Sequence, residues 1–259
     1  MMDNRPAGPT GPATIQEIRR VARISVKLLE ENDLRCCVFG SAACSMYGTR
    51  NRIPRDIDIV VFTARDPEEI KRILVDSDKR KFFLVPSKKR DETYKVLWFR
   101  LSGRNPHPSD PAKTVGRRCK VDILIPGTLD LPSIPRTRVC YTRVPDVPVV
   151  PLIVLIGLKL RGWVDHRDAE LEYYRVKQVD DVADLEALLV IAVGAGIRMK
   201  DADWLPRQFR RDARERAREF VRFRPATKAK FEALGFDMQG VFTEHFPFLF
   251  TGVAIVDPD

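Results

Sequence analysis

The chain has 259 residues, with 45 Lys and Arg against 36 Asp and Glu, a formal charge of +9. Hydrophobic residues make up 44% and charged residues 31%, which excludes wholesale disorder and allows one large domain or two modest ones. The longest apolar stretch, residues 149–158, is about half of the ~20 residues that a membrane-spanning helix needs. The N-terminus (MMDNRPAGPTGPATIQ) has no apolar run of the secretory type. Cys36, Cys37, Cys44, Cys119 and Cys140 show no CxxC spacing and read as reduced thiols rather than disulfides or zinc ligands. A cytoplasmic protein with no membrane association is expected. His107, His166 and His245 are scattered, so any metal is expected on carboxylates. The positive balance favours anionic partners such as nucleotides or nucleic acid without choosing between them.

Residues 1–13 are rich in Pro and Gly and read as a disordered tail. Thr14 and Glu17 form a capping box, in which each side chain satisfies a free backbone N–H at a helix start. Ile15, Ile18, Val21, Ala22, Ile24, Leu28 and Leu29 then follow helical spacing, predicting a helix over 14–31. The apolar run 36–39 predicts a buried strand stopping at Gly40-Ser41, with a short helix over 42–48. Residues 56–62 (DIDIVVF) read as a strand rich in β-branched residues, and Asp66-Pro67 as a helix start. Strands are expected over 81–85, 94–101 and 118–125, with 102–116 a long loop by composition. Five prolines within 126–148 suggest a crossing to a second region, helical over 151–164, 177–193, 203–223 and 226–234. The chain thus reads as α+β: a core over 14–146, then a mainly helical region over 147–259.

The chemistry-bearing residues are few. In a strand, alternate side chains share a face, so Asp56 and Asp58 lie about 7 Å apart on one side. Such carboxylates repel unless a cation sits between them, and an oxygen-only pair suits Mg²⁺ with substrate phosphates. Gly40-Ser41, at a strand-to-helix junction, can offer backbone N–H groups to a phosphate. No Gly-Lys-Ser/Thr follows, so this is not a Walker A loop. Asp122 sits within Lys120-Val121-Asp122-Ile123-Leu124, where alternation places Lys120, Asp122 and Leu124 on one face. Burying that Asp unpaired is costly, and a shared metal would resolve the cost.

Each feature has a plainer reading. Asp-Ile-Asp is also the polar face of any half-buried strand, and Gly-Ser also a simple turn. Lys159, between Leu158 and Leu160, could snorkel from a helix edge. Asp181 and Asp184 flank the apolar stripe of their helix, where Asp181 could equally pair with Lys177 on the surface. Residues 207–224 hold eight arginines with interleaved Phe, either a solvated helix face or a surface for RNA phosphates. Trp98, Trp163 and Trp204 read as core or interface anchors.

Gly-Ser, a fourteen-residue spacer, Asp-x-Asp and a later Asp in an apolar strand resemble the DNA polymerase β-like nucleotidyltransferase superfamily, more narrowly its AbiEii-type branch. Arg52-Ile53-Pro54-Arg55-Asp56-Ile57-Asp58 is similar to that branch's Arg-x-Thr/Ser-x-Asp-x-Asp run, departing at Pro54. Leu158-Lys159-Leu160 and Asp181-Val182-Ala183-Asp184-Leu185 resemble its Lys helix and Asp-x-x-Asp-Leu helix. The likeness spans 40–185 and leaves 186–259 uncovered.

The resemblance implies a small mixed β-sheet core with flanking helices. It implies Mg²⁺ as cofactor, held with an NTP such as ATP by Asp56 and Asp58, and completed by Asp122, which would help deprotonate the acceptor. Gly40 and Ser41 would contact the triphosphate, with Arg52 also on the nucleotide. Lys159 would reach a phosphate and Asp181 would hold Lys159 or the nucleotide. The implied reaction moves NMP to an acceptor hydroxyl on an RNA 3′ end, a protein or a small molecule. The alternative is a catalytically silent nucleotidyltransferase fold that binds nucleotide or RNA.

Overall fold

A computed structural model of the protein describes residues 9–87 and 92–241. Residues 1–8 of the expected tail and 242–259 of the expected helical region lie outside the described residues. Helix α1 (Ile15–Glu30) starts at the expected capping box: the Thr14 hydroxyl accepts from the Glu17 N–H, and the Glu17 carboxylate accepts from the Thr14 N–H. Its Ile18, Val21, Ala22, Val26 and Leu29 are fully buried. Strand β1 (Cys36–Phe39), buried throughout, runs directly into α2 (Gly40–Tyr47), which Gly48 ends in the left-handed conformation. Strand β2 (Asp56–Val61) returns antiparallel to β1. Helix α3 (Pro67–Ser77), capped by Asp66 with Pro at its first turn, leads into β3 (Phe82–Pro86), β4 (Lys95–His107) and β5 (Asp110–Leu124).

With β6 (Cys140–Tyr141) and β7 (Pro148–Val149), these strands form one mixed sheet in the order β3-β4-β5-β2-β1-β7-β6. β2 is parallel to β5, and β1 is parallel to β7. Helices α1 and α3 touch each other and cover one face, α1 over β1 and β2, α3 over β3 and β5. That face is lined by buried Ile57, Ile59, Leu97, Phe99, Val121 and Ile123, the positions that alternate with the polar ones. Helices α4 (Leu152–Arg167), α5 (Glu172–Val176), α6 (Gln178–Gly194), α7 (Arg207–Phe223) and α8 (Lys228–Ala233) follow. α4 and α6 pack on each other and on α2, and α7 on α4. The architecture is α+β, a mixed sheet with flanking helices and a helical C-terminal part, as the sequence predicts. Among the described residues no helix is long and apolar enough to cross a membrane.

Three expectations are corrected. Residues 102–116 are not a loop but the outer half of the β4–β5 hairpin, which tolerates its glycines and prolines through register irregularities after Arg100 and Pro106. Residues 126–148 are not a bare crossing: Leu131, Ile134, Val144 and Val147 are buried, and β7 pairs with β1 at Val38 and Val149. Residues 9–13, read as tail, are tied to that hairpin. The Arg117 guanidinium donates to the carbonyls of Gly11, Pro12 and Ser102 and forks onto both Glu17 oxygens at 2.7 Å. The Gly11 N–H donates to Asn105 Oδ1 as well, and composition reveals neither contact. All five cysteines are free, and burial pushes the thiols of Cys37, Cys44 and Cys119 up to about 12.

Candidate active site

The register of β2 against β5 brings the three predicted carboxylates together. Asp58 stands directly beside Asp122, and Asp56 beside Lys120. Since i and i+2 share a face, all four side chains emerge on the side of the sheet opposite α1 and α3. Lys120 carries no role in the sequence reading, although alternation places it with Asp122. Its ammonium lies 2.6 Å from Asp122 Oδ2 and 3.8 Å from Asp56 Oδ2. Burial disfavours that charge, but Asp122 and then Asp56 and Asp58 outweigh it and hold the Lys120 pKa above its ordinary value.

Asp58 is the electrostatic centre of the cluster. Burial first, then the charges of Asp56 and Asp122, push its carboxyl up to about 8, against the opposing pull of Lys120 and Lys159. One ammonium between three carboxylates leaves the group short of positive charge. On its other side Asp58 faces Phe39 of β1, and its carboxylate lies against the backbone of Gly40. Gly40 has φ +64°, and a Cβ there would overlap Asp58 Oδ2. Only glycine meets both demands. Ser41, nearly buried, lies in the first turn of α2, whose N-cap residue Phe39 supplies no side-chain cap. Among the described residues no side chain caps the first N–H groups of α2, which lie beside the carboxylates.

The other predicted residues form a second cluster, behind α2. Lys159 of α4 lies 2.7 Å from Asp184 Oδ2 and 3.4 Å from Asp181 Oδ1 on α6. Arg52 donates to both Asp184 oxygens through Nε and a terminal nitrogen and lies 3.5 Å from Asp180. Asn51 donates to Asp184 at 2.6 Å, and His166 Nδ1 meets Asp181 Oδ2. Burial alone would raise the Asp184 carboxyl, but Arg52, Lys159 and Asn51 outweigh it and hold it below the usual range. Asp184, to which the resemblance assigns no role, is thus the hub, and Asp181 is buried rather than paired with Lys177 at the surface. Their three-residue spacing on one helix face was the available signal. Lys159 is engaged by two carboxylates, and its charge reaches Asp58 as the opposing pull noted above.

In the arginine run, Phe209, Ala213, Ala217, Phe220 and Val221 face the core. Arg216 pairs with Asp130, Arg218 with Asp237 and Arg224 with Glu186. Arg207, Arg210, Arg211 and Arg214 line a concavity of about 550 Å³.

No family model and no curated protein matches the chain. Among solved structures, it is similar to an antigenic nucleotidyltransferase-like protein from Paracoccidioides brasiliensis, with a TM-score of 0.61 at 12% identity, covering 86% of this chain and 95% of that one. A putative nucleotidyltransferase from Helicobacter pylori gives a TM-score of 0.46 at 14% identity over 85% of this chain and 82% of that one. ANT(2")-Ia, solved with adenylyl-2"-tobramycin, gives 0.41 at 10% identity over 78% and 99%. The first of these likenesses carries the conclusion: the chain has the fold of a nucleotidyltransferase-like protein.

Proposed function

We propose that the protein is a Mg²⁺-dependent nucleotidyltransferase, moving NMP from an NTP to an acceptor hydroxyl with release of pyrophosphate. The observation that carries this reading is the pairing of Asp58 with Asp122 across the β2–β5 ladder, with Asp56 on the same face and the uncapped start of α2 alongside. The AbiEii-type resemblance, the cytoplasmic setting and the individual residue roles belong to the same proposal.

The donor set suits the metal. Among the described residues no three His, Cys, Asp or Glu side chains close into a metal cage, but Mg²⁺ usually takes one or two carboxylates and completes its shell with water and phosphate. The Lys120 ammonium, drawn between Asp122 and Asp56, occupies the kind of position a cation seeks. Asp56, Asp58 and Asp122 would hold Mg²⁺, which when bound neutralises triphosphate charge and stabilises the attacking and leaving oxygens of an in-line displacement.

The remaining work falls to the chain. The N–H groups around Gly40 and Ser41 would receive phosphate oxygens, and Gly40 keeps the backbone close enough for them to do so. Asp122 would take the acceptor proton. Lys159, fixed by Asp181 and Asp184, would supply positive potential from behind α2 rather than a direct phosphate contact. Arg52 would act likewise, through the loop that leads into β2. Positioning and electrostatics account for rate in phosphoryl chemistry of this kind.

The test is transfer from α-labelled NTPs, each in turn, with and without total RNA, beside the Asp56→Ala/Asp58→Ala variant. Label in RNA, in the protein or in a small acceptor that vanishes in the variant is the expected result. Label transfer undiminished by the double substitution would overturn the site.

A further inference from the structure

The face that carries the carboxylates does not end at β5. Lys120 is the register partner of Asp56 on β2 and of Trp98 on β4, and Trp98 is the partner of Phe83 on β3. One row therefore crosses four strands as Asp56, Lys120, Trp98, Phe83, with about 10 Å between the first and third positions at the usual strand spacing. The adjoining row pairs Arg118 with Arg100. The Arg118 guanidinium stacks 4.2 Å from the Trp98 ring centre and that of Arg100 4.2 Å from the Phe83 ring centre.

Trp98 and Phe83 are only half-buried, unlike Trp163, and Arg100 and Arg118 are exposed. Arg118 makes no ion pair among the described residues, and Arg100 donates only to the carbonyls of Lys79, Arg80 and Phe82. Phe83, Arg100 and Arg118 line a concavity of about 510 Å³ with His107 and Val115. The result is a strip of alternating rings and uncompensated cations that begins at the carboxylates and runs outward across the sheet.

Flat rings interleaved with guanidinium groups match one chemistry above others: bases that stack and phosphates that need counter-charge. A small neutral or cationic acceptor would gain nothing from Arg100 and Arg118. We infer that this strip seats a single-stranded polynucleotide whose terminal hydroxyl reaches the carboxylate cluster, with Trp98 and Arg118 as its principal contacts. The inference rests on the transferase reading for the purpose of the strip, but the binding it describes is measurable without turnover.

The test is fluorescence anisotropy of a short end-labelled oligoribonucleotide with the full chain, at two salt concentrations, alongside NTP binding and label transfer. Trp98→Ala and Arg118→Ala are each expected to weaken oligonucleotide binding by about tenfold or more while NTP binding is unchanged. Trp98→Phe, which keeps a ring, should restore most of the affinity, and Arg118→Ala should lower the salt slope. Trp98→Ala losses that merely track the folded fraction in a thermal melt would overturn the inference, as would affinity unchanged in Arg118→Ala. So would binding that depends only on Arg207, Arg211 and Arg214, which would assign RNA to α7. Oligonucleotide binding that needs Trp98 and Arg118 in a protein with no transfer onto any acceptor sinks the transferase reading and leaves the strip standing. Transfer to another acceptor with no oligonucleotide binding does the reverse.

Discussion

Gly40 shows how much a single residue decides. Its positive φ turns β1 into α2 within one peptide, and its missing side chain admits the Asp58 carboxylate. Gly40→Ala adds backbone strain of about 1–2 kcal/mol and displaces Asp58. Since an ångström of misplacement can cost about a hundredfold in rate, transfer should fall by roughly that factor in a protein that still melts cooperatively, which parallel activity and melting assays would check. The three carboxylates and Gly40 were legible in the sequence because strand alternation and a strand-to-helix glycine are local rules. Lys120 was legible as a neighbour but not as a partner, since only the β2–β5 register sets it against Asp56. Trp98 shows the limit from the other side: as an amino acid it suggests an anchor, and only its place on the open face makes it a surface residue.

Helix α6 and the N-terminal clamp show what elements contribute. Asp184 is 1% exposed and holds Lys159, Arg52 and Asn51, so it ties α6 to α4 and to the loop before β2. Asp184→Ala removes the buried carboxylate shared by Lys159, Arg52 and Asn51, leaving Lys159 only its longer contact with Asp181 and Arg52 only the half-exposed Asp180, and should destabilise the fold by about 3 kcal/mol in urea titration, more than Asp180→Ala, which removes only that half-exposed carboxylate. At the other end, the Arg117 hydrogen bonds hold the Glu17 carboxyl well below its ordinary 4.5, at about 2. A depressed carboxyl contributes stability above its unfolded pKa and loses it as pH falls through the folded one. Wild type should therefore exceed Glu17→Gln in melting temperature at neutral pH, with the difference shrinking between about pH 4.5 and 2. A gap that stayed constant across that range would refute the clamp. Helices α1, α4, α6 and α7 were readable from apolar periodicity, whereas the outer β4–β5 hairpin was hidden because its Gly, Pro and Ser content mimics a loop. The two-residue strands β6 and β7 are too short for any pattern to show.

For the molecule as a whole, a sheet covered on one side and a helical group packed against α2 leave the carboxylate face and the aromatic–cationic strip on a common surface. A ligand that binds only the folded state stabilises it by mass action, about 2.7 kcal/mol at a hundred times its dissociation constant. NTP with Mg²⁺ should accordingly raise the melting temperature of the wild type, and NTP with EDTA should raise it far less. The central claim, that these carboxylates hold a metal-bound nucleotide beside α2, is tested most directly by calorimetric titration of NTP into the wild type and Asp58→Asn, each with Mg²⁺ and with EDTA. Binding in Mg²⁺ that weakens by about tenfold or more in EDTA and in the variant, with both proteins equally folded, is the outcome predicted. Nucleotide binding indifferent to Mg²⁺ and to Asp58 would contradict it.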